Sequence, residues 1–344
     1  MPLASAIPKV HLHCHLEGSL RSTTFVELAA RHGIGLRYDP RGEGRDALPV
    51  DPADPYRFAD FHEFLLMFAA VSRALACPDD YRRLAREFVE DALAQNVVYG
   101  ELFVSPSVWT FFRPELDVRA AFAAIADELR AAAPRAEFKL IVDLTRNFGQ
   151  RRAMETARLA TSLTDYGVIG VGLGGDEARF PPEPYAAAFT LARACGLHCV
   201  AHAGEAAGAQ SVRAAVELLG AQRIGHGIAA LRDPNIVQLL AQRRIPLEIC
   251  PTSNRLTGAA LPRGHAFLEF ERAGCIVVID ADDPALFGTS IETEYAFVES
   301  VAGSDALARY AANAIDASFA DPLRKRALHA GLAAELQAAR RSTN

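Results

Sequence analysis

The sequence lacks a surplus of positive charge, since its 344 residues include 36 Lys and Arg against 42 Asp and Glu, a net charge of −6. Such a chain has no electrostatic footprint for nucleic acid or for an anionic membrane. It also lacks an apolar run near the ~20 residues that a membrane-spanning helix needs. We therefore expect a small molecule as the partner, with neither nucleic acid nor membrane involved.

Cysteine is sparse, and its six residues are scattered without the regular spacing of a small disulfide-bonded domain. The N-terminal segment MPLASAIPKVHLH lacks the basic stretch and apolar core of a secretory signal. Both features predict a cytoplasmic location. Half of the residues are hydrophobic, which is enough for a sizeable buried core.

Apolar, β-branched segments alternate with alanine-rich, helix-forming stretches along the chain. Eight such segments occur, at residues 8–14, 97–104, 138–144, 168–173, 197–201, 223–226, 245–250 and 275–280. This alternation predicts an α/β fold, a (β/α)₈ TIM barrel. No repeat or linker divides the chain, so we predict one domain over residues 1–344.

The gap after the first predicted strand is much longer than the others. A Pro-, Gly- and Asp-rich stretch at 37–55 predicts an exposed loop, and an aromatic helical segment follows at 58–71. Apolar residues at 3.6 spacing predict a helix over 78–96. We therefore predict a helical insertion at about 20–95, which forms either a lid or ordinary packing. Residues after about 305 predict closing helices.

Histidines alternate along the first predicted strand, in the segment His11-Leu12-His13-Cys14-His15. Alternate side chains of a strand face the same way, so all three point into the barrel. His13 and His15 lie toward the carboxyl end, where barrel enzymes hold their active sites, and His11 lies deeper. Imidazole nitrogen is a good ligand for zinc and similar metals, although a single buried histidine is more often a core residue.

Three later strands bring further polar residues to the same rim. His202 and Glu205 follow the fifth strand, His226 ends the sixth between two glycines, and Asp282 and Asp283 follow the eighth. Adjacent buried carboxylates repel one another unless a cation or hydrogen bonds compensate. The set predicts one divalent metal, and a bound metal lowers the pKa of its water toward ~7.

Six motifs, in order, together resemble the adenosine deaminase family of metal-dependent amidohydrolases. They are PKVHLHCHLEGSL, GLGGDE, HAGE, IGHG, ICPTSN and ADDP, and they run from residue 8 to 284. The resemblance implies a (β/α)₈ barrel, usually with zinc. It also implies an enzyme that replaces a purine 6-amino group by oxygen and releases ammonia.

The resemblance implies a role for each matching residue. The metal ligands would be His13, His15, His202 and Asp282. Glu205 would be the acid at purine N1, and His226 would hold the metal-bound hydroxide. Asp283 would be the partner of N7, and the backbone of Gly175 would donate to N3.

The sequence departs from the family pattern at three places. His11 stands where Glu is common, and Asp280-Ala281 stands where Asn and a small hydroxyl residue are usual. Glu17 stands where adenosine deaminases have an Asp directed to the ribose 5′ hydroxyl. Glu17 would either sense the substituent at N9 or be a structural carboxylate that caps the turn at Gly18-Ser19.

The resemblance implies a 6-aminopurine as the substrate class, but the motifs leave the exact form of the substrate open. HLEG resembles both adenine deaminases and the aminodeoxyfutalosine deaminases of menaquinone synthesis, whereas LGGDE differs from the Asp-Ser-Ser-Glu turn of adenine deaminases. We therefore predict a nucleoside, either adenosine or a 5′-modified analogue such as aminodeoxyfutalosine. The alternatives are free adenine, a different metal-dependent amidohydrolase reaction, or a non-catalytic purine-binding relative.

Overall fold

A computed structural model describes residues 2–40 and 51–343 of the chain, which contain eight parallel strands paired in chain order. The strands are β1 (Lys9–His15), β2 (Val97–Val104), β3 (Glu137–Asp143), β4 (Val168–Gly172), β5 (His198–Ala203), β6 (Arg223–His226), β7 (Leu247–Ile249) and β8 (Val277–Ile279). Each predicted segment overlaps one of these strands, with ends that differ by at most two residues.

The first and last strands meet just beyond β8. Cys14 and Asp282 form a parallel bridge, in which His15 N donates to Asp282 O at 2.9 Å and Asp282 N donates to His13 O at 3.0 Å. These bonds bring the end of β8 against the end of β1. The strands and helices therefore form the predicted α/β barrel, with every residue of β1 buried.

Helices connect the strands and cover the outside of the barrel. The helices before β5 are α1 (Leu3–Ala6), α2 (Ser22–Arg31), α3 (Phe61–Ala74), α4 (Pro78–Ala94), α5 (Pro106–Phe112), α6 (Val118–Ala131), α7 (Gly149–Thr161) and α8 (Ala186–Ala194). The later ones are α9 (Ala209–Ala214), α10 (Pro234–Arg243), α11 (Pro251–Leu256), α12 (Ala266–Arg272), α13 (Ile291–Ala302), α14 (Ser304–Ala317) and α15 (Pro322–Thr343). The closing helices α13 to α15 begin at Ile291, earlier than the predicted position near 305.

The long segment between β1 and β2 contains α2, α3 and α4. Pro78 starts α4, where its missing N–H costs no hydrogen bond, and Tyr81, Leu84 and Phe88 are buried on one face, as the periodicity predicted. Asp60 caps α3 by accepting from Glu63 N at 2.9 Å. The predicted loop at 37–55 lies partly outside the described residues, because 41–50 are not among them.

Among residues 2–40 and 51–343, no single helix is both long enough and apolar enough to cross a membrane. Helices α3 and α4 reach both only when taken together, and they are bent by 119° relative to each other.

Candidate active site

A cavity of about 310 Å³ opens at the carboxyl ends of the strands. Most of the residues predicted for the site line it, namely His15, Gly175, His202, Glu205, His226, Asp282 and Asp283. His13 lies directly beneath, fully buried, with Nε2 at 3.3 Å from Asp282 Oδ1. Glu17 does not belong to this lining.

The four predicted metal ligands lie close together around Asp282. His15 Nε2 lies 3.0 Å from His202 Nε2 and 3.4 Å from Asp282 Oδ1. Ligands at ~2.0–2.1 Å from a tetrahedral metal are about 3.3 Å apart, so these separations suit a shared cation. Without a cation, one of these two Nε2 atoms must carry a proton and donate to the other, whereas a shared metal would be bound by both lone pairs.

Unpaired atoms give a second reason to expect a cation. The Nε2 atoms of His13 and His226 are buried and have no hydrogen-bond partner. Buried polar atoms in native proteins nearly always have one. Two groups of residues that share Asp282 each place their ligand atoms within 4.8 Å of one another. One group is His13, His202, His226 and Asp282, and the other is His15, Asp282 and Asp283. The donor set is therefore one that a divalent metal fits.

Side chains behind these residues hold their orientations. Glu248 Oε2 lies 2.7 Å from His13 Nδ1, which leaves Nε2 directed toward the cavity. Ser253 Oγ donates to Asp282 Oδ2 at 2.7 Å, and Asn254 Nδ2 lies 2.8 Å from His226 Nδ1. The sequence analysis gave these three supporting residues no role. Ser253 and Asn254 belong to ICPTSN, so the motif was the available signal.

The backbone is strained at two of the site residues. Asp282 has φ +63° and His226 has φ +61°, in the left-handed region that non-glycine residues rarely adopt. Such strain persists only where the surrounding structure enforces it, and it concentrates at functional sites. Both residues end or follow a strand, so the strain turns their side chains into the cavity.

Glu205 lies in the turn after β5 with its Oε2 at 3.6 Å from His226 Nε2. Burial, and then the Asp282 carboxylate, raise the pKa of Glu205 well above its ordinary value, which favours the protonated acid. Glu177 fixes this turn, because its carboxylate accepts from the backbone N–H groups of Gly204 at 2.6 Å and Glu205 at 3.0 Å. Glu177 is a further residue that the sequence analysis missed, although it ends the motif GLGGDE.

Gly175 is a position that only glycine fits. Its φ is +96°, and a Cβ there would lie 2.3 Å from Asn147 Oδ1, which accepts from Asp176 N at 2.9 Å. The backbone of Gly175 can therefore line the cavity closely.

Asp283 also depends on a nearby glycine, since a Cβ on Gly18 would lie 1.8 Å from Asp283 Oδ1. That oxygen is buried without a partner. Burial and the neighbouring Asp282 raise the pKa of Asp283 well above its ordinary value. A neutral carboxylic acid at this place can donate a hydrogen bond to a ligand.

Glu17 is fully buried beside the cavity. Its Oε1 accepts from Ser105 N at 2.8 Å and from Trp109 Nε1 at 2.6 Å, and burial raises its pKa to about 7. Its partners therefore belong to the loop and helix after β2, and neither belongs to the turn at Gly18-Ser19. Trp109 packs inside against Tyr81 and does not line the cavity.

The mouth of the cavity is aromatic. Its apolar lining includes Tyr38, Phe61, Phe64, Leu65, Phe68, Phe111, Phe112 and Phe148. Phe58 instead packs against Phe64 and Phe287, with ring centroids 5.6 and 5.7 Å away. Helix α3 thus contributes one wall of the cavity.

The two departures near the barrel centre lie next to each other. His11 Nε2 is 3.9 Å from Asp280 Oδ1, which also accepts from Leu12 N at 2.8 Å. Burial, and then the His13 charge, lower the pKa of His11 to about 3, while burial and Glu248 raise that of Asp280 to about 8. Both side chains are therefore held toward their neutral forms.

Comparison with known proteins identifies the family. The model of the family named adenosine deaminase matches residues 8–335. The chain belongs to the adenosine deaminase family. The resemblance carried by the six motifs is therefore confirmed over almost the whole chain.

Proteins similar to this chain include two deaminases and a zinc-bound amidohydrolase. An aminodeoxyfutalosine deaminase of Streptomyces coelicolor is 40% identical over 332 residues, covering 92% of this chain and 81% of that protein. The crystal structure of adenine deaminase from Arthrobacter aurescens has a TM-score of 0.86 and 27% identity, covering 96% of this chain and all of that one. An amidohydrolase from Burkholderia ambifaria with bound Zn has a TM-score of 0.84 and 29% identity, covering 97% and 92%.

Proposed function

We propose that this adenosine deaminase family member removes the 6-amino group of a 5′-modified 6-aminopurine nucleoside by hydrolysis, with one divalent metal. The convergence of three histidines and Asp282 at the rim, with Glu205 beside them, is the observation that carries the proposal. The product would be the 6-oxopurine nucleoside, with ammonia released.

His13, His15, His202 and Asp282 would hold the metal. Three imidazole nitrogens and one carboxylate suit zinc, and the family member from Burkholderia ambifaria contains Zn. When bound, the metal supplies Lewis acidity that lowers the pKa of a water toward ~7. Every other role falls to side chains and backbone groups of this chain.

Glu205 would act as the acid. Its raised pKa keeps a proton on the carboxyl at neutral pH, and that proton can pass to purine N1 as water attacks C6. Asp283, also held toward its neutral form, would donate to N7, and the backbone N–H of Gly175 would donate to N3. The three contacts would fix the purine ring at its edge.

His226 would orient the attacking water. With Asn254 Nδ2 donating to Nδ1, the neutral imidazole carries its proton on Nε2 and directs it into the cavity. Burial lowers the pKa of His226 to about 4, so the neutral ring is the relevant form. His226 therefore serves better as a donor that positions the water than as a base.

The aromatic mouth favours a substrate larger than a base. The cavity volume of about 310 Å³ lies within the range of pockets that hold drug-sized ligands, ~300–1,000 Å³. The mouth beyond Asp282 and Glu205 is walled by α3 and α5, which offers apolar surface to a group attached at the 5′ position. Aminodeoxyfutalosine is the named substrate of the relative that is 40% identical.

Free adenine is the second candidate, because the similar solved structure from Arthrobacter aurescens is an adenine deaminase. A panel of adenosine, 2′-deoxyadenosine, adenine, 5′-methylthioadenosine and aminodeoxyfutalosine, followed by ultraviolet absorbance and ammonia release, distinguishes the two. We expect the highest kcat/KM for a 5′-modified nucleoside. Preference for adenine would select the second candidate, and no ammonia from any purine would overturn the proposal in favour of another amidohydrolase reaction or a binding role.

A further inference from the structure

A buried chain of charges joins the base of the barrel to the metal site. Arg223, the first residue of β6, is 1% exposed. Its Nε lies 2.5 Å from Glu248 Oε1, and its Nη2 lies 2.7 Å from Glu101 Oε2. The other oxygen of Glu248 is the atom that contacts His13 Nδ1 at 2.7 Å. One carboxylate therefore links the guanidinium to a metal ligand.

The connection between α14 and α15 completes the surroundings of Arg223. Its Nη1 donates to Ala317 O at 3.1 Å, and the guanidinium carbon lies 4.0 Å from the centroid of the Phe319 ring. The backbone N of Phe319 donates to Glu101 Oε1 at 2.5 Å. On its other side, the Phe319 ring stacks on His198, with centroids 3.8 Å apart and planes 5° apart. The segment 317–319 thus makes three separate contacts with this charge chain.

Because these charged side chains are buried, the stability of each one depends on its neighbour in the chain of charges. A buried guanidinium is stable only when carboxylates, carbonyl oxygens or a ring face replace its water, and removing one partner leaves an uncompensated charge. Glu248 needs Arg223 for the same reason. A carboxylate behind a metal-binding histidine sets the tautomer and the direction of the ring, and its loss typically lowers metal affinity by 10–100-fold.

We propose that segment 317–319, at the end of the barrel away from the cavity, is a positioning element for metal binding. It fixes Arg223, Arg223 fixes Glu248, and Glu248 holds the His13 ring with Nε2 toward the ligand point. The inference rests on the metal site of the proposed function and adds a part of the chain that touches neither metal nor substrate.

The test is the zinc affinity of the whole protein, measured by competition with a chromogenic chelator, together with the absorption spectrum of the Co²⁺-loaded form. The variants are Phe319→Ala, Glu248→Gln and the double variant. Phe297→Ala is the matched control, since Phe297 lies in closing helix α13 and its ring also packs on a histidine, His265.

We expect Glu248→Gln to weaken zinc binding by about 10–100-fold. Phe319→Ala should weaken it by roughly 3- to 10-fold, and Phe297→Ala should leave it unchanged. The double variant should bind zinc no more weakly than Glu248→Gln alone, because both changes act on one route. The Co²⁺ spectrum should change in both single variants.

Two results would overturn the inference. One is an affinity of Phe319→Ala equal to that of the control. The other is additive losses in the double variant, which would assign the effect of Phe319 to its packing against Phe103, Ile141 and Val200 instead.

Two further measurements keep the inference distinct from folding and from the proposed function. If Phe319→Ala does not fold, Phe319→Leu keeps apolar volume and removes the ring face, and parent-like zinc affinity there would equally overturn the inference. A parent protein that binds no zinc or Co²⁺ would contradict the metal site itself, whereas a parent that binds metal isolates the role of segment 317–319.

Discussion

The two ends of the barrel hold buried charge differently. At the base, the Arg223 guanidinium is neutralised by the carboxylates of Glu101 and Glu248 and also contacts a carbonyl oxygen and a ring face, although Nη2 and Glu101 Oε2 form an ion pair without hydrogen-bond geometry. At the rim, Nε2 of His13 and of His226 lie buried without a hydrogen-bond partner. A protein tolerates unmatched buried groups where a ligand completes them. The contrast assigns binding and chemistry to the rim and positioning to the base.

The strongest way to break this contrast is to remove a ligand from the rim. His13→Ala should reduce metal content from about one ion per chain to none, with loss of deaminase activity, because the site loses one of four ligands. Elemental analysis of the purified protein measures this. His329→Ala, which changes a partly exposed histidine on α15, is the control and should keep the metal. Unchanged metal content in His13→Ala would remove His13 from the ligand set.

The next effect separates chemistry from metal binding. Glu205→Gln should keep the metal, since Glu205 is not a proposed ligand. It should lower kcat by about 10²–10⁴-fold, as loss of a general acid typically does. Steady-state kinetics on the best substrate of the panel measures the change, with Glu155→Gln on the surface helix α7 as the control. Near-parent turnover in metal-loaded Glu205→Gln would exclude the acid role.

A third experiment measures how strongly burial at the rim destabilises the charged form of a carboxyl group. Asp143 ends β3 in the cavity lining, its Oδ1 has no partner, and burial raises its pKa to about 6 from 3.8. A raised pKa in the folded state means that Asp143 favours folding below pH ~4, and that this stability is lost as pH rises through about 6. A shift of this size corresponds to about 3 kcal/mol.

Urea unfolding of the metal-free parent and of Asp143→Asn should therefore show a difference that depends on pH. Relative to the variant, the parent should lose about 2 kcal/mol of unfolding free energy between pH 4 and pH 7, which is most of the full shift. The asparagine keeps the shape of the side chain without its charge, so the variant is its own control for packing. A constant difference across this range would show that Asp143 is better solvated than its burial implies.

The fold was predictable because the strands carry their own signal. The run VVYGELFV matches β2 at both ends, since a buried parallel strand is mostly apolar on both faces and turn residues bound it. RIGH also matches β6 at both ends, although two of its four residues, Arg223 and His226, are polar. The segments 245–250 and 275–280 were predicted too long, because β7 and β8 each have only three residues. Their ends depend on pairing with a neighbour, which periodicity does not record.

Site residues were predictable where the position of a residue on its strand determines the direction of its side chain. They were less predictable where contacts with residues distant in sequence determine the role. His13 and His15 were predicted from alternation on the first strand, and His202 from its place just after the fifth predicted strand, although the structure includes it in β5. Glu248 occupies an interior position of β7, and only the three-dimensional structure shows that it lies between Arg223 and His13. Glu17 is the clearest example of a residue whose contacts the sequence does not predict, since its position in HLEG indicates the rim but not its hydrogen-bond partners.

The smallest effect that we expect is at Glu17, and it tests whether this carboxylate belongs to the site or to its wall. Glu17→Gln keeps a carbonyl oxygen that can accept from Ser105 N and Trp109 Nε1. Glu17→Ala removes that acceptor and should cost about 1–3 kcal/mol of stability, because two buried donors lose their partner.

If Glu17 only supports the wall, the ratio of kcat/KM for adenosine to that for adenine should change by less than about threefold in Glu17→Gln, since the neutral amide keeps the wall in place. A direct hydrogen bond from the substituent at N9 to the charged carboxylate would give a different result. Such a bond contributes about 1.5–3 kcal/mol, so its weakening would change the ratio by roughly tenfold or more. Steady-state kinetics with both substrates therefore decides whether Glu17 contributes to specificity directly or through the packing of Trp109.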